Sequence, residues 1–257
     1  SFLKKKKFLI KAYGITEQGN SILININGFC PYFFVKMPNG WDKTKVKKFK
    51  RYLINNVKQY HKDSITKRGF CILSKIPFYG FTNNTKEKFM RITFKTLSGY
   101  YTYLKLLKKS NEEPIIIDNI EYDFSKLLYE TKVSPLLRFF HVKNIKPVGW
   151  IKLPSRSYKI VKNKTSRCQI ECDIFYNNIE RYNLDKIGKF IVASYDIECT
   201  SCDGTFPNAN RPDDEIIQIG TTINIFGEEK KYKYIATLKK CDPIEGAIVE
   251  ECCSLEV

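Results

Sequence analysis

Long apolar runs are missing from this sequence. No stretch approaches the roughly 18 consecutive apolar residues that a membrane-spanning helix requires, so no membrane partner is expected. The first hydrophobic segment, Phe2 to Ile10, is interrupted by Lys4 to Lys7, which excludes the pattern of a secretory signal. Histidine is scarce. His61 and His141 are the only two, both expected on surfaces or at helix ends, and a histidine-built metal centre is not expected. Arginine (8) and alanine (5) are also rare beside 36 Lys, 31 Ile and 18 Asn, a bias that AT-rich coding produces and that accounts for part of the positive charge. A disulfide framework is excluded by an odd count of nine cysteines in a long chain without a signal, which points to reduced thiols in an intracellular protein. The chain opens on Ser1 and not on Met, so further sequence upstream is expected.

What is present suffices for a folded protein. The 257 residues are 43% hydrophobic and 14% aromatic, enough for one large domain or two modest ones with proper cores. The net charge of +17 is unevenly placed: residues 1–185 carry +22 and residues 186–257 carry −5. A basic body followed by an acidic segment suggests two modules, the first suited to a polyanion such as nucleic acid and the second to cations.

Along the basic part, "FLIKAYGI", "NSILININ" and "YFFVKMP" alternate apolar and polar residues and read as a strand meander. "TKVKKFKRYLINNVKQY" changes period, with Val46, Phe49, Leu53, Val57 and Tyr60 on one helical face. "ITKRGFCILSKIP" and "KEKFMRITFKT" read as strands, and "GYYTYLKLLKK" as a helix with Tyr100, Tyr103, Leu104 and Leu107 as its stripe. Strand, helix, strand, strand, helix is the order of a ferredoxin-like or RNA-recognition-type module. "SKLLYETKVSPLLRFFHV" reads as helical with an interruption near Pro135. "GWIKLP", "YKIV" and "RCQIECDIFY" read as strands of a small OB-type barrel. "NLDKIGK", at the charge shift, reads as a linker.

The chemistry concentrates in "FIVASYDIECTSCDGTFP", Phe190 to Pro207. Side chains alternate across a strand, so Val192, Ser194, Asp196 and Glu198 share one face and Ile191, Ala193, Tyr195 and Ile197 the other. The two carboxylates stand about 7 Å apart along the strand, from its rise per residue. Carboxylates in an apolar strand need water or a cation, and hard oxygen ligands suit Mg²⁺ or Mn²⁺. A bare D-x-E triplet is common and by itself marks only a strand end. Here it ends a long apolar run, read as a buried strand. A Gly/Pro-containing turn follows, "SCDGTFPNANRPDDE", then two further strands, "IIQIGTTINIF" and "KYKYIATLK".

"VASYDIECTSCDGTFPNANRPDDEIIQIG" resembles the first exonuclease motif of family B DNA polymerases, particularly the delta-type replicative enzymes and their counterparts in large DNA viruses. "NGFCPYFFVKMP", "LYETKVSPLLRFFHVKNIKPVGWIKLP", "RCQIECDIFY" and "CDPIEGAIV" are similar to further segments of that family, in its order, between about Gly28 and Val249. The resemblance implies an α+β chain. Residues 1–187 would form the mixed amino-terminal domain with ferredoxin-like and OB-like parts, and residues 188–257 the first strands of an RNase H-like 3′→5′ exonuclease domain. It implies a DNA-directed DNA polymerase with proofreading as the parent protein, acting on primer-template DNA and its single-stranded 3′ end. Asp196 and Glu198 would be catalytic metal ligands in a two-metal hydrolysis using Mg²⁺ or Mn²⁺, in which water is activated and the leaving 3′ oxygen stabilised. The family's remaining exonuclease aspartates, its tyrosine and its palm aspartates have no counterpart here, so the fragment alone is expected to be inactive. Contacts with a sliding clamp or accessory factors would involve parts outside this chain. The host nucleus or a cytoplasmic viral replication site are the implied locations.

Two other classes compete: a non-catalytic nucleic-acid-binding module, with Asp196 and Glu198 as ordinary edge acids, and a self-sufficient small nuclease. Cys199-x-x-Cys202 would suit zinc only with a second pair such as Cys168 and Cys172. Phe78, Tyr79 and Phe81 offer rings for base stacking or for packing. Lys45, Lys48 and Arg51 offer a basic helix face that is either solvated or bound to phosphates.

Overall fold

The computed structural model describes residues 7–77 and 83–254. Phe78, Tyr79 and Phe81 lie outside the described residues. The chain divides into two compact units, one of Ser1–Tyr13 with Leu23–Leu184 and the other of Gly14–Ile22 with Asp185–Val257. The first unit is mixed α+β. In chain order it contains β1 (Ile10–Ile15, its tip in the second unit), β2 (Ser21–Asn27), β3 (Tyr32–Lys36), α1 (Lys43–Asn55), α2 (Gln59–Lys62), β4 (Ile65–Lys75), β5 (Glu87–Phe94) and α3 (Leu97–Lys108). There follow β6 (Ile115–Ile117), β7 (Ile120–Tyr122), β8 (Leu128–Tyr129), α4 (Pro135–Lys143), β9 (Ile151–Lys152), β10 (Tyr158–Ile160), β11 (Ile170–Phe175) and β12 (Glu180–Arg181).

The core of this unit is one sheet under two helices. The strands run in the order β4-β5-β3-β8, all pairs antiparallel. Phe33 and Val35 of β3 and Met90, Ile92 and Phe94 of β5 are buried on one face, against Val46, Phe49 and Leu53 of α1 and Tyr100, Tyr103, Leu104 and Leu107 of α3. The predicted α3 stripe is therefore the observed one. Asp42 starts α1 by accepting from the Lys45 amide at 2.8 Å. The helix stops at Asn55, where Asn56 donates back to the Tyr52 carbonyl. Val57 still reaches the core, but Tyr60 lies beyond the break and is 58% exposed, which removes it from the predicted stripe. His61, in α2, is buried and hydrogen-bonded through Nε2 to Thr102 Oγ1 at 3.1 Å.

Around Pro135 the structure differs from the expected interrupted helix. Proline does not interrupt α4 but begins it. Ser134 is held extended (φ −61°, ψ 146°) and its hydroxyl caps the Leu137 amide at 3.1 Å. Proline excludes the residue before it from helical backbone and is tolerated in the first turn, where its missing N–H has no partner to lose. Upstream, residues 125–127 form a 3₁₀ turn leading into β8.

A second sheet of the first unit runs β1-β2-β11-β10. Its chemistry centres on Glu171 of β11, which is 1% exposed. One carboxylate oxygen accepts from Asn25 Nδ2 (3.1 Å) and Thr165 Oγ1 (3.0 Å). The other accepts from the amides of Thr165 (2.8 Å) and Ser166 (3.1 Å) and from Ser166 Oγ (3.0 Å). Burial alone would push this carboxyl up, but the donors outweigh it and hold the carboxyl at about 2, against its ordinary 4.5. A carboxyl depressed on folding stabilises the fold above its unfolded value, and that contribution is lost as pH falls from about 4.5 through 2. Glu171→Gln turns an NH₂ group toward one set of donors. It is expected to lower Tm at pH 7 and to flatten the dependence of Tm on pH in that window. Thermal melts from pH 7 to pH 2 check this; identical profiles for the two proteins would contradict it.

The second unit is built on an antiparallel meander, β13 (Ile191–Cys199), β14 (Ile216–Ile225) and β15 (Lys231–Leu238), with β16 (Ile248–Cys252) parallel to β15. The order is β13-β14-β15-β16, so β13 is an edge strand. Its burial corrects the sequence expectation. Ile191 to Glu198 are all exposed, and among the described residues Thr237 is the sole residue of this unit that is buried as a whole. Apolar composition gives a strand its β tendency, but burial needs neighbours on both faces and along both edges.

Candidate metal-binding site and its loop

Register fixes the two acids on one face. Asp196 pairs with Gly220 and Glu198 with Gln218, while Ile197 pairs with Ile219 on the opposite face. The acid face is polar, with Ser194 opposite Thr222 and Val192 opposite Asn224. The other face carries Tyr195, Ile197, Ile219 and Ile223 and leaves Tyr195 76% exposed. Gly220 has open space where a Cβ would stand, so no side chain crowds Asp196 from the neighbouring strand. A register shift falls between Glu198 and Cys199. Such bulges end regular pairing and re-aim the residues beside them.

Both carboxylates are exposed, and among the described residues neither forms an ion pair. Asp196 Oδ1 accepts from the Ile197 amide at 3.0 Å. The remaining oxygen positions are open to solvent. The donor set fits a hard divalent cation in kind, with two carboxylates on one unobstructed face, but not in number, since such ions take about six oxygen ligands or more. No group of three His, Cys, Asp or Glu side chains able to hold a metal occurs among the described residues.

The turn after β13 is a clasped loop. The Thr200 amide donates to the Glu215 carbonyl (2.8 Å) and the Glu215 amide to Thr200 Oγ1 (3.0 Å), closing its base. Arg211 sits at its centre. Its Nε donates to Asp214 (2.7 Å), its Nη2 to the Phe206 carbonyl (2.7 Å), and its Nη1 to Thr205 Oγ1 (3.0 Å) and to Asp203. Asp214, with its side chain 2% exposed, also accepts from the amides of Cys202 (3.0 Å) and Asn208 (2.8 Å). These donors hold the Asp214 carboxyl far below its ordinary range, the Cys202 and Asn208 amides foremost. Asp214 in turn pushes the Cys202 thiol up through a hydrogen bond, away from the thiolate that zinc or redox chemistry needs. Asp203 receives the Thr205 amide (2.9 Å) and hydroxyl (2.7 Å), and Gly204 supplies the left-handed turn at φ +74°.

Asp203 and Asp214 are thus spent on the loop and add no ligands to the Asp196/Glu198 pair. The clasp instead presents Phe206, whose carbonyl is fixed by Arg211 and whose ring is 91% exposed. Sequence reasoning passed over Arg211, Asp214 and Phe206. The available signal was an Asp-Gly-Thr turn and an Arg/Asp cluster within a Pro/Gly segment directly after the acids.

Comparison with known proteins places these features in a lineage. The model "DNA polymerase family B, exonuclease domain" matches residues 127–254, and "DNA polymerase delta catalytic subunit-like, N-terminal domain" matches residues 28–101. The chain is 31% identical over 266 residues to a DNA polymerase of Acanthamoeba polyphaga mimivirus, covering 96% of this chain and 14% of that protein. It is 32% identical over 246 residues to the DNA polymerase delta catalytic subunit of Candida albicans, covering 93% of this chain and 22% of that protein. The family B DNA polymerase structure from Pyrobaculum calidifontis superposes with a TM-score of 0.59 at 11% identity, over 90% of this chain and 26% of that one, a likeness of fold. The chain therefore spans between 14% and 22% of the length of these curated relatives.

Proposed function

Because the chain belongs to the family B DNA polymerases, over their amino-terminal region and exonuclease domain, we propose that it is the front of a replicative DNA polymerase that excises mispaired 3′ ends. In this reading Asp196 and Glu198 are the first metal-binding acids of the 3′→5′ exonuclease. Residues 1–187 form the amino-terminal domain and residues 188–257 the opening strands of an RNase H-like fold. The order β8-β3-β5-β4, with α1 and α3 on one face, supports a ferredoxin-like part. Of the strands read as OB-like, β10 and β11 join β1 and β2 in one sheet and β9 pairs with β12.

The observation that carries the reading is the pairing of two unneutralised carboxylates on one polar face with an open Gly220 beside them. Asp196 and Glu198 would both be ligands to the divalent ions. Bound Mg²⁺ or Mn²⁺ would supply water activation and charge stabilisation at the leaving 3′ oxygen. The chain's own contributions are the placement of the acids, the room left by Gly220, and Phe206 as a ring on which a terminal base stacks. The exposed apolar face of the second unit, Tyr195 and Ile197 included, supports a sheet that other segments cover. Those segments would bring the missing ligands, and the isolated chain would have no activity. The basic first unit would hold template or single-stranded DNA.

Mn²⁺ titration of the chain by calorimetry tests the metal assignment. Weak binding that Asp196→Ala with Glu198→Ala removes is expected. Unchanged binding in the double variant would contradict the assignment.

A further inference from the structure

α1 carries a charge pattern that opposes its own stability. Six of its thirteen residues are cations (Lys43, Lys45, Lys47, Lys48, Lys50 and Arg51) and none is an acid. Lys43 and Lys45 stand at the amino-terminal end, where the helix dipole favours anions, and the last turn, which favours cations, has none. Lys43 and Lys47, and Lys47 and Arg51, are like charges four apart on one face, a spacing that destabilises helices. Among the described residues only Lys48 of this set forms an ion pair, with Asp118, while Lys45 also feels the N-cap carboxylate of Asp42. Residues 186–257 share the Ile-rich composition of the chain yet carry −5, so coding bias alone does not load one helix this way.

The unpaired cations are grouped. Lys47, Lys50, Arg51, Ile54 and Asn55 line a shallow depression of about 220 Å³ along the outer face of α1. Lys50 lies over the Phe70 ring of β4 at 5.5 Å, which restricts the freedom of that ammonium. Along the helix, cations four residues apart recur every 6 Å or so. Resting on the DNA-polymerase reading above, we propose that this stripe, Lys47, Lys50 and Arg51 ending at Ile54, is a docking surface for the phosphate backbone of single-stranded DNA. Of the basic face Lys45, Lys48 and Arg51, Arg51 belongs to this stripe, while Lys48 pairs with Asp118. The contact would be to phosphates and independent of base sequence.

The test is fluorescence anisotropy of a labelled oligothymidylate with the 257-residue chain across a salt series. Each phosphate contact on a single strand contributes about 0.7 to the slope of log affinity against log salt. Lys47→Ala, Lys50→Ala and Arg51→Ala together are expected to make that slope shallower by roughly two. Alanine favours the helix, so the triple variant is expected to melt no lower than the parent. A matched triple, Lys105→Ala, Lys108→Ala and Lys159→Ala, removes the same charge elsewhere on the first unit and is expected to leave the slope nearly unchanged. An unchanged slope in the α1 variant, an equal loss in the matched triple, or an equal effect on duplex DNA overturns the proposal. Mn²⁺ binding by the α1 variant separates the two readings. If it persists at Asp196 and Glu198 while DNA affinity is unaltered, the stripe assignment alone fails.

Discussion

In the complete polymerase, changing Asp196 and Glu198 together to Ala is expected to slow removal of a mispaired 3′ nucleotide about 10³-fold or more, with primer extension near its original rate. Charge stabilisation by bound ions contributes several kcal/mol to such a reaction, and about 1.4 kcal/mol is a factor of ten. The expectation of intact extension rests on where the acids stand. They lie on an exposed edge strand, outside the buried cluster that holds the first unit together. Neither supports a salt bridge among the described residues, and Asp196 accepts only the neighbouring Ile197 amide. Removing them therefore takes away the proposed ligands and not packing. Excision of an end-labelled mismatched primer, measured beside extension of a matched one, decides the matter. Parallel loss of both activities would mean that the acids serve the fold or the polymerase site.

Phe206→Ala is expected to weaken binding of a single-stranded 3′ end to the complete enzyme about ten- to hundredfold. Stacking of one base on an aromatic side chain contributes about 1–3 kcal/mol. A ring that is 91% exposed on a loop tied at both ends adds nothing to a core. The backbone beneath it is fixed by Arg211, which bonds the Phe206 carbonyl while clasped by Asp203 and Asp214. Phe206→Trp is expected to restore affinity and Phe206→Leu to fail, since the interaction is with a π face and not with apolar area alone. Arg211→Ala is expected to act in the same direction by freeing the loop. Equal affinity for the parent, Ala and Trp proteins would remove Phe206 from the site.

Period carried much of the fold into view. The stripe of Tyr100, Tyr103, Leu104 and Leu107 was legible because a 3.6-residue repeat survives wherever a helix is continuous. Tyr60 was not, because the stop at Asn55 and Asn56 resets the phase. Pro135 was legible as a break but ambiguous between ending one helix and starting another, and the Ser134 hydroxyl decides it. In β13 the alternation separated Asp196 and Glu198 from Ile197 correctly, since side-chain direction is local. Its exposure was not legible, because burial depends on which strands and segments lie alongside. The clasp was hidden for a related reason. Arg211 bonds Asp203 eight residues earlier and Phe206 five earlier, across a loop with no repeat to read. The ion pair of Lys48 with Asp118, seventy residues away, was likewise not legible.

The proposal that this chain carries only part of a metal site can be tested in one assay, incubating 5′-labelled single-stranded DNA with Mn²⁺ and either the 257-residue chain or the complete polymerase. Stepwise shortening from the 3′ end by the complete enzyme, and none by the chain alone, is the expected result. Shortening by the chain alone, abolished by Asp196→Ala, would contradict it and make this polypeptide a nuclease in its own right.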